Sequence, residues 1–403
     1  MEPSTVGIVV ASEPAEPRDR IVVLDVLRGM AILGMFMVHF WYRAGGWRPD
    51  GFMSSAIGLL VESKAFTTFA ILFGAGFAIQ LRQAQSRGER FTLRFLRRML
   101  GLALFGFVAH GIFGYNVLLG YAMWGVALLV VWRWSTRALL ITAVLCAMSI
   151  SLYQIAAGAY QWATLGVEGT HRANARIGAA DRAAHNALHQ AELQSSFPVL
   201  VAARVRSMKW FYAQVFSWTP AMTFVKFLIG LLALRLGVWE RPRGHRRLIL
   251  AAMAFGLFSW VVSEWVLPLP WPKLPIGRVA GPIQGGFMLF RDEWLAFTYI
   301  GAVLLLVAYD RRWERRLDFF ALAGRMALTN YMIQIILIDV LFRPYGLGIV
   351  IRRPELGQLA ALALFGAQVA FSWWWLRHFR LGPAEWLLRS ITYARFEPIR
   401  SAN

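Results

Sequence analysis

Long apolar runs separated by short polar segments repeat along most of this chain of 403 residues. An apolar run of about 18 residues or more is long enough to cross the hydrocarbon core of a bilayer as a helix. The pattern therefore predicts an all-α, polytopic membrane protein in which about ten spanning helices form one bundle. The predicted spans are residues 21–41, 63–81, 99–113, 117–132, 138–157, 222–236, 248–267, 294–309, 326–341 and 359–376.

Arginines collect in every second predicted loop, which indicates the orientation of the bundle. Six arginines stand against one glutamate in the segment 82–98, and further arginines follow the fourth, sixth, eighth and tenth spans. Cytoplasmic loops are enriched in Lys and Arg, so both termini are predicted to be cytoplasmic. The composition agrees with a membrane protein, with 58% hydrophobic and 16% charged residues and a mean hydropathy of +0.51.

The net charge of +20 and the pI near 11.1 do not indicate a nucleic-acid partner. The spans divide the arginines among separate loops, where they set orientation and attract anionic lipid headgroups of the bilayer. We therefore expect the lipid bilayer, and no nucleic acid, as the partner of these charges.

The polar segments divide the chain into four predicted regions. Residues 1–20 form a disordered cytoplasmic tail, and residues 21–157 form an N-terminal transmembrane bundle. Residues 158–220 form an extracytoplasmic loop with a surface helix, and residues 221–403 form a C-terminal transmembrane domain with a cytoplasmic tail. A second outer loop, 267–291, is rich in proline and glycine and is either a lid over a cavity or a linker.

Few residues suit a metal site. His185, His189 and Glu192 fall at helical spacing in the surface helix, which is compatible with metal ligands, although a solvated helix face explains the spacing more plainly. We predict no metal. The chain has one cysteine, Cys146, which lies in an apolar run and cannot form an internal disulfide. We expect this thiol to fill space in the bundle.

The first predicted span, LDVLRGMAILGMFMVHF, carries three ionisable residues in an otherwise apolar helix. At 100° per residue, Asp25, Arg28 and His39 share one face. This face is predicted to point into the bundle, because a charge exposed to lipid costs about 2.5–3.5 kcal/mol. Asp25 and His39 are about 21 Å apart along the helix, so His39 lies near the outer surface. An ion pair of Asp25 with Arg28 and an interfacial His39 explain these residues without a function.

Other polar residues lie in or beside the predicted spans. Glu62, Lys64, His110, Lys226 and Glu264 fall at outer depth, where they either surround a vestibule with His39 or extend to the interface. The ninth span is polar on two faces, so other helices must enclose it. Its polar residues are Arg325, Thr329 and Asp339 on one face and Asn330 and Gln334 on the other, and hydrogen bonds between helices explain them without a function.

Five motifs stand in order along the chain: LDVLRGMAILGMFMVHF, KAFTTFAILFGAGFAI, RRMLGLALFGFVAHGIFGYNVLLGYA, GRMALTNYMIQ and GPAEWLLRSITY. They resemble those of the YeiB-like bacterial membrane proteins, which carry a C-terminal domain of unknown function. The resemblance covers nearly the whole chain, residues 24–393. It implies a multi-pass protein of the bacterial cytoplasmic (inner) membrane whose YeiB-like domain lies within residues 221–403.

The opening motif is also similar to two families of transmembrane acyltransferases, the bacterial glycan O-acyltransferases and the lysosomal heparan glucosaminide acetyltransferase. Asp25, Arg28, Gly29 and His39 reproduce the Asp-x-x-Arg-Gly start of the O-acyltransferases and their histidine 14 residues after the aspartate. YeiB-like proteins usually have asparagine at the position of His39. They usually have aspartate at the position of Asn116, so this chain lacks a carboxylate that would be a candidate base.

The resemblance implies transfer of an acyl (acetyl) group from cytoplasmic acyl-CoA to an extracytoplasmic glycan or lipid-linked acceptor. Histidine accepts a proton or relays an acyl group near neutral pH, which makes His39 the first catalytic candidate and His110 the second. Lys64 or Lys226 is a candidate for stabilising the oxyanion. Arginine binds phosphate through two parallel hydrogen bonds. The candidate ligands of the coenzyme A phosphates are Arg28, Arg97, Arg98 and Arg325.

Two functions from other classes stay open. A small-molecule transporter also places ionisable groups inside the membrane, although the sequence shows no repeat and no clear pair of broken spans. A non-catalytic scaffold would bind partners through GPAEWLLRSITY, in which Glu385 and Arg389 have the i, i+4 spacing of a helix-stabilising pair. The oligomeric state does not follow from the sequence.

Overall fold

The computed structural model describes residues 21–43, 51–114, 116–194, 196–217, 220–266, 292–396 and 398–400. The predicted tail at residues 1–20 and the proline- and glycine-rich loop at 267–291 lie outside these ranges. The described residues form helices and turns, with one isolated β-bridge between Phe379 and Arg400. The predicted all-α class is therefore confirmed for this part of the chain.

Fourteen α-helices follow one another along the described ranges. A π-helical turn at Val262–Val266 extends the ninth helix, and a 3₁₀ turn at Asp292–Trp294 leads into the tenth. The helices are α1 (Val22–Arg43), α2 (Phe52–Leu60), α3 (Glu62–Ser86), α4 (Phe91–Phe113), α5 (Leu118–Val131), α6 (Thr136–Gln194), α7 (Phe197–Ser217), α8 (Pro220–Arg235), α9 (Arg246–Val261), α10 (Leu295–Tyr309), α11 (Arg311–Arg325), α12 (Ala327–Phe342), α13 (Pro354–His378) and α14 (Pro383–Tyr393).

Several helical segments are long and apolar enough to cross a membrane. Helices α11 and α12 together form one further candidate span, bent by 72° between Arg325 and Ala327. Two shorter apolar helices cover Leu118–Val131 and Thr136–Ser149. A multi-pass helical bundle is thus supported, whereas the count of ten spans and the cytoplasmic termini stay predictions. Within the described residues, the six unbroken candidates are Val22–Arg43, Phe52–Ser86, Phe91–Phe113, Arg246–Trp265, Asp292–Tyr309 and Pro354–His378.

Helix α1 is the most buried of these six spans and packs against α3, α11, α12 and α13. Small residues bring α1 and α11 close together. A Cβ atom on Gly29 would overlap the carbonyl group of Phe320, and one on Gly324 would overlap the carbonyl group of Asp25. Small residues at helix crossings let backbones approach in membrane proteins. The polar face of α1 lies inside the bundle, as predicted, because Asp25 and His39 are both buried.

Two regions predicted as loops are largely helical. The second part of α6 and the whole of α7 cover most of residues 158–220, where one surface helix was predicted. Helix α6 is interrupted at Gly166, whose φ of 65° favours glycine. Helix α11, RRWERRLDFFALAGR, has alternating charged and apolar residues at helical spacing rather than a long apolar run. A criterion based on continuous apolar runs misses such a helix.

Candidate functional site

The ion pair of α1 lies at the end of the bundle where this helix begins, here named the basic end. Arg28 Nη1 donates to Asp25 Oδ1 over 2.7 Å. The Asp25 side chain is buried, whereas the Arg28 side chain keeps 28% of its surface exposed. The guanidinium also lies beside Gly76 of α3. Arg28 therefore combines a structural ion pair with access to the space between α1 and α3.

A cavity of about 260 Å³ begins beside Arg28 and continues into the bundle. On α1, its lining extends from Arg28 to Met35, about 10 Å along the helix axis. Arg98 of α4 and Arg325 of α11 complete its cationic part. Most of the remaining lining is apolar or aromatic. It includes Phe69, Leu72, Phe73, Leu102, Tyr121 and Tyr331.

A second cavity, of about 270 Å³, adjoins the first at the basic end. Gln80, Phe95, Arg98 and Glu385 line both cavities, so the two share a wall. Glu89 pairs with one of the arginines of the second cavity over 2.5 Å. The two cavities together give the basic end a strongly cationic interior. The arginines that line only the second cavity are Arg87, Arg94 and Arg389.

Glu385 of α14 stabilises the start of α12 at the break in the bent span. Its Oε1 accepts hydrogen bonds from the backbone N–H groups of Leu328 at 2.6 Å and Thr329 at 3.1 Å, and its Oε2 accepts from Thr329 Oγ1 at 2.5 Å. A carboxylate satisfies the free N–H groups of a first helical turn. Burial raises the pKa of the Glu385 carboxyl, while the hydrogen bonds from Thr329 and Leu328 oppose this shift. The carboxylate thus joins α14 to α12, in addition to its predicted i, i+4 spacing with Arg389.

His39 lies about four fifths of the way along α1, in an aromatic environment. Its ring centroid is 5.2 Å from that of Phe113, 5.8 Å from that of Phe66 and 6.2 Å from that of Tyr331. The imidazole is buried, and its Nδ1 has no hydrogen-bond partner among the described residues. The side chain therefore faces protein rather than lipid.

The cavity of the basic end stops short of His39. Tyr331 of α12 lines the cavity and contacts the imidazole, so one aromatic ring separates the two. The space between Arg28 and His39 is therefore open from Arg28 to Met35 and closed beside Tyr331.

Beyond His39, a second group of charged residues lies at the end of the bundle where α1 ends, here named the opposite end. Arg204 of α7 is fully buried and donates to Asp339 Oδ1 over 2.9 Å. Arg43 and Arg343 contact Glu192 of α6 at 2.9 and 2.7 Å. Tyr345 donates its hydroxyl to Asp339. Sequence reasoning missed the three arginines. The membrane-buried Asp339 was the available signal, because a buried carboxylate requires a cationic partner.

The two lysine candidates are both engaged in ion pairs. Lys64 Nζ lies 2.5 Å from Asp292 Oδ2, and Lys226 Nζ lies 2.8 Å from Glu293 Oε2. Both lysines are buried, and both partners belong to the 3₁₀ turn before α10. The pairs hold α3 and α8 to this turn, and a role in stabilising an oxyanion stays a prediction.

His110 and Asn116 make contacts to the backbone. His110 Nε2 lies 3.1 Å from the carbonyl oxygen of Arg204, so this ring contacts the backbone of one of the charged residues at the opposite end. Asn116 Oδ1 accepts from the N–H of Leu118, and its Nδ2 donates to the carbonyl of Gly106 over 2.9 Å. The first bond satisfies the N–H of the first residue of α5, and the second joins the start of α5 to α4.

The polar residues of the ninth predicted span hydrogen-bond to a neighbouring helix. Asn330 Nδ2 donates to Ser372 Oγ over 3.0 Å and to the carbonyl of Ala323 over 3.1 Å. Gln334 Nε2 donates to Gln368 Oε1 over 2.9 Å. These contacts join α12 to α13, as expected for polar residues enclosed by other helices.

The remaining predicted residues lie away from the cavities. Arg97 lies beside Arg98 in sequence but does not line either cavity of the basic end. The side chains of His185 and His189 lie outside the described part of the structure. Within that part, no group of three or more His, Cys, Asp or Glu residues is arranged to hold a metal. Glu192, the third candidate ligand, contacts arginines instead.

Two family descriptions match separate parts of the chain. Residues 20–175 match the family described as "Heparan-alpha-glucosaminide N-acetyltransferase, catalytic", and residues 233–395 match "Protein of unknown function (DUF418)". The first match contains the whole of α1 and α3 to α5, and the second contains the bent span and α14. The basic-end cavity is lined by residues from both matched parts. No solved structure matches the chain.

Similar proteins extend over nearly the full length of the chain. "Uncharacterized protein YxaH" of Bacillus subtilis (strain 168) is 29% identical, over 96% of this chain and 98% of its own length. "Uncharacterized 39.9 kDa protein in amylase 3'region" of Bacillus acidopullulyticus is 28% identical over the same shares. "Uncharacterized protein YeiB" of Escherichia coli (strain K12) is 28% identical, over 93% of this chain and 96% of its own length. The chain thus resembles YeiB and YxaH over nearly its whole length, and its N-terminal part resembles the catalytic family of heparan-alpha-glucosaminide N-acetyltransferases.

Proposed function

We propose that this protein is a membrane acyltransferase. It binds acyl-CoA at the basic end and transfers the acyl group to an acceptor, a glycan or a lipid-linked sugar, at the opposite end. The observation that carries the proposal is the basic-end cavity, in which Arg28, Arg98 and Arg325 stand at one end of an apolar interior. The similarity of residues 20–175 to an acetyltransferase catalytic family supports the same reaction class.

The two parts of the cavity match the two parts of an acyl-CoA. Phosphate groups bind guanidinium groups through charge-assisted hydrogen bonds, and arginines line both adjoining cavities. The acyl chain and its thioester are largely apolar and suit the lining formed by Phe69, Leu72 and Leu102. A polyanion at the cationic end therefore directs the thioester into the bundle, toward Tyr331 and His39.

In the proposed reaction, His39 is the general base. Its Nδ1 accepts the proton of the acceptor hydroxyl or amine, whose oxygen or nitrogen attacks the thioester carbonyl carbon. The new acyl bond forms as the carbon–sulfur bond breaks, and the coenzyme A thiolate takes the proton from the His39 imidazolium when it leaves, which restores the neutral imidazole. Because Tyr331 separates the cavity from the imidazole, the reaction also requires the Tyr331 ring to turn aside.

The test uses the full-length protein in lipid nanodiscs. We expect it to release the thiol of coenzyme A from acetyl-CoA or a longer acyl-CoA when a glycan or lipid-linked acceptor is added, as measured with a thiol-reactive dye. Acyl-CoA should also bind without an acceptor, which isothermal titration calorimetry measures. Absence of acyl-CoA binding would contradict the proposal, because the cavity alone is expected to hold the donor.

A transporter is the second candidate, and the bent span favours it. Transporters commonly use discontinuous helices whose ends meet at a substrate site. Here α11 and α12 meet at an angle of 72° beside the cavity, where Arg325 and Leu328 both line it. Counterflow of a solute in proteoliposomes, with the thioester of added acyl-CoA intact, would support the transporter and contradict the acyltransferase.

A further inference from the structure

Three arginine side chains at the opposite end converge on one oxygen atom of Glu192. Its Oε1 lies 2.9 Å from Arg43 Nη1, 2.7 Å from Arg343 Nη2 and 3.8 Å from Arg204 Nη2. Several guanidinium groups around a carboxylate or phosphate oxygen are a common means of binding anions in proteins. The opposite end therefore contains a formed anion site, in which a residue of the chain itself supplies the anion.

Two of the arginines are held in place by a partner other than Glu192. Arg204 donates to Asp339 Oδ1 over 2.9 Å, and Arg343 Nε lies 3.5 Å from the same oxygen. Asp339 in turn accepts a hydrogen bond from the Tyr345 hydroxyl. Because these contacts do not involve Glu192, they remain available to hold Arg204 and Arg343 in place without the Glu192 carboxylate.

Charge and exposure favour exchange of the Glu192 carboxylate. The three guanidinium groups and the carboxylates of Glu192 and Asp339 leave a net charge of +1, which rises to +2 without Glu192. Arg204 and Asp339 form the buried floor, with side-chain exposures of 0% and 3%. The Glu192 side chain is 12% exposed and the Arg43 side chain 20%. An incoming anion thus meets Glu192 and Arg43 at the rim, above a floor that attracts it.

The anion site lies next to the proposed general base. Arg43 follows His39 by four residues on α1, about 6 Å along the helix axis. The Phe113 ring contacts both, with its centroid 4.8 Å from the Arg43 guanidinium carbon and 5.2 Å from the His39 ring. Arg43 Nη2 also donates to the Phe113 carbonyl over 2.8 Å, which fixes this arrangement. A ligand held through its anion would therefore extend toward the imidazole.

We propose that Arg43, Arg204 and Arg343 bind an anionic group of the acceptor, a carboxylate or phosphate carried by a sugar, and that Glu192 occupies this site until the acceptor displaces it. The inference rests on the proposed acyltransferase function, because it specifies the acceptor class of that reaction. It makes Glu192 an internal competitor of the substrate.

The test compares galacturonate, galactose 1-phosphate and galactose as ligands of the full-length protein in nanodiscs, by isothermal titration calorimetry. In Glu192→Gln, at least one of the two anionic sugars should bind about tenfold more tightly than in the wild type, because a competing carboxylate is removed. Galactose should show no such gain. The anionic sugar with the larger gain identifies the group, carboxylate or phosphate, that the site prefers.

Glu192→Asp provides a second variant with a conserved charge. It withdraws the carboxylate by one methylene group, so a smaller gain in the same direction is expected. The proposal is overturned if neither variant binds the anionic sugars more tightly than the wild type, or if galactose gains equally. A thermal unfolding transition like that of the wild type shows that each variant is folded.

Acetyl-CoA binding to the same samples separates this inference from the proposed function. Glu192→Gln should bind acetyl-CoA as the wild type does, because the donor cavity lies at the basic end. If the wild type does not bind acetyl-CoA but Glu192→Gln gains affinity for anionic sugars as expected, the proposed function alone is contradicted. Normal acetyl-CoA binding with no preference for anionic sugars would contradict the anion site alone.

Discussion

The two ends of the bundle use arginine in opposite ways. At the basic end, Arg28, Arg98 and Arg325 line a cavity, and the Arg28 side chain is 28% exposed despite its ion pair with Asp25. At the opposite end, Arg204 is fully buried between carboxylates and backbone carbonyl groups. The first group has donors directed at an open space, whereas the second has its donors directed at other residues of the chain.

The comparison shows how burial decides the role of a charged residue. A buried guanidinium needs a carboxylate in contact, because the desolvation penalty of an isolated ion amounts to several kcal/mol. A guanidinium at the wall of a cavity keeps part of its hydration and can exchange water for a ligand. In the proposed function, the basic end binds a soluble polyanion, and the opposite end is held together until an anion competes with Glu192. The predictions below test this contrast.

The largest expected effect is the loss of acyl-CoA turnover when His39, which lies between the two ends, is replaced. His39→Ala should lower acyl-CoA turnover in the presence of acceptor by about 10²–10⁴-fold, the usual contribution of a general base, in protein that a thermal unfolding transition shows to be folded. His110→Ala is the matched control, because His110 is a buried histidine that contacts the Arg204 carbonyl and lines neither basic-end cavity. Full turnover in His39→Ala, or a loss confined to His110→Ala, would remove His39 from the mechanism.

The next largest effect concerns stability at the opposite end. Asp339→Asn should lower the free energy of unfolding by about 3–5 kcal/mol, because it leaves the buried Arg204 without its closest carboxylate. Denaturant titration in detergent measures the change. Asp25→Asn is the comparison at the basic end, where the partly exposed Arg28 keeps access to water. Equal losses of unfolding free energy in Asp339→Asn and Asp25→Asn would contradict the expectation that the more buried arginine depends more on its carboxylate.

Neighbouring arginines on α4 test donor binding at the basic end. Arg98→Gln should weaken acetyl-CoA binding about tenfold or more, because a charge-assisted hydrogen bond to a phosphate is lost. Arg97→Gln is the control, since Arg97 lies one position earlier and does not line either cavity. Calorimetry on both variants gives the two dissociation constants. A larger effect in Arg97→Gln would move the donor site away from the cavity.

The smallest effect is the pH dependence produced by Glu385. Burial raises the pKa of this carboxyl in the folded state, so the stability it contributes is fully present below its unfolded pKa and decreases as the pH rises through the folded pKa. The glutamine side chain in Glu385→Gln cannot ionise. The stability of this variant should therefore fall less than that of the wild type over the same rise in pH. Thermal unfolding at a series of pH values measures this. Parallel curves for the two proteins would show that Glu385 does not titrate differently in the folded state.

Several elements of the fold are visible in short windows of sequence. The first and tenth spans were predicted at residues 21–41 and 359–376, and the structure has α1 at Val22–Arg43 and α13 at Pro354–His378. Both are long apolar helices, for which local hydrophobicity is the deciding property. Helix α11 was not predicted because its apolar residues do not form a long run. The bend beside Met326 was not predicted because Glu385, which stabilises it, is far away in the sequence.

The candidate site likewise has features that the sequence predicts and features that it does not. Arg28, Arg97, Arg98 and Arg325 were predicted together near the cytoplasmic surface, and the structure places all of them except Arg97 beside one cavity. Their depth follows from position in a helix, but their lateral adjacency depends on which helices pack together. For the same reason, the sequence did not reveal that Arg204 and Glu192 lie beside Arg43.

The sequence by itself determined an all-helical chain with apolar spans and a polar face on α1, because hydrophobicity and helical spacing act over a few turns of backbone. Only the tertiary structure decided that the cavity ends at Tyr331, that Lys64 and Lys226 are paired, and that three arginines meet at Glu192. These features depend on contacts between helices distant in sequence, where close packing and the desolvation of charges select the partners.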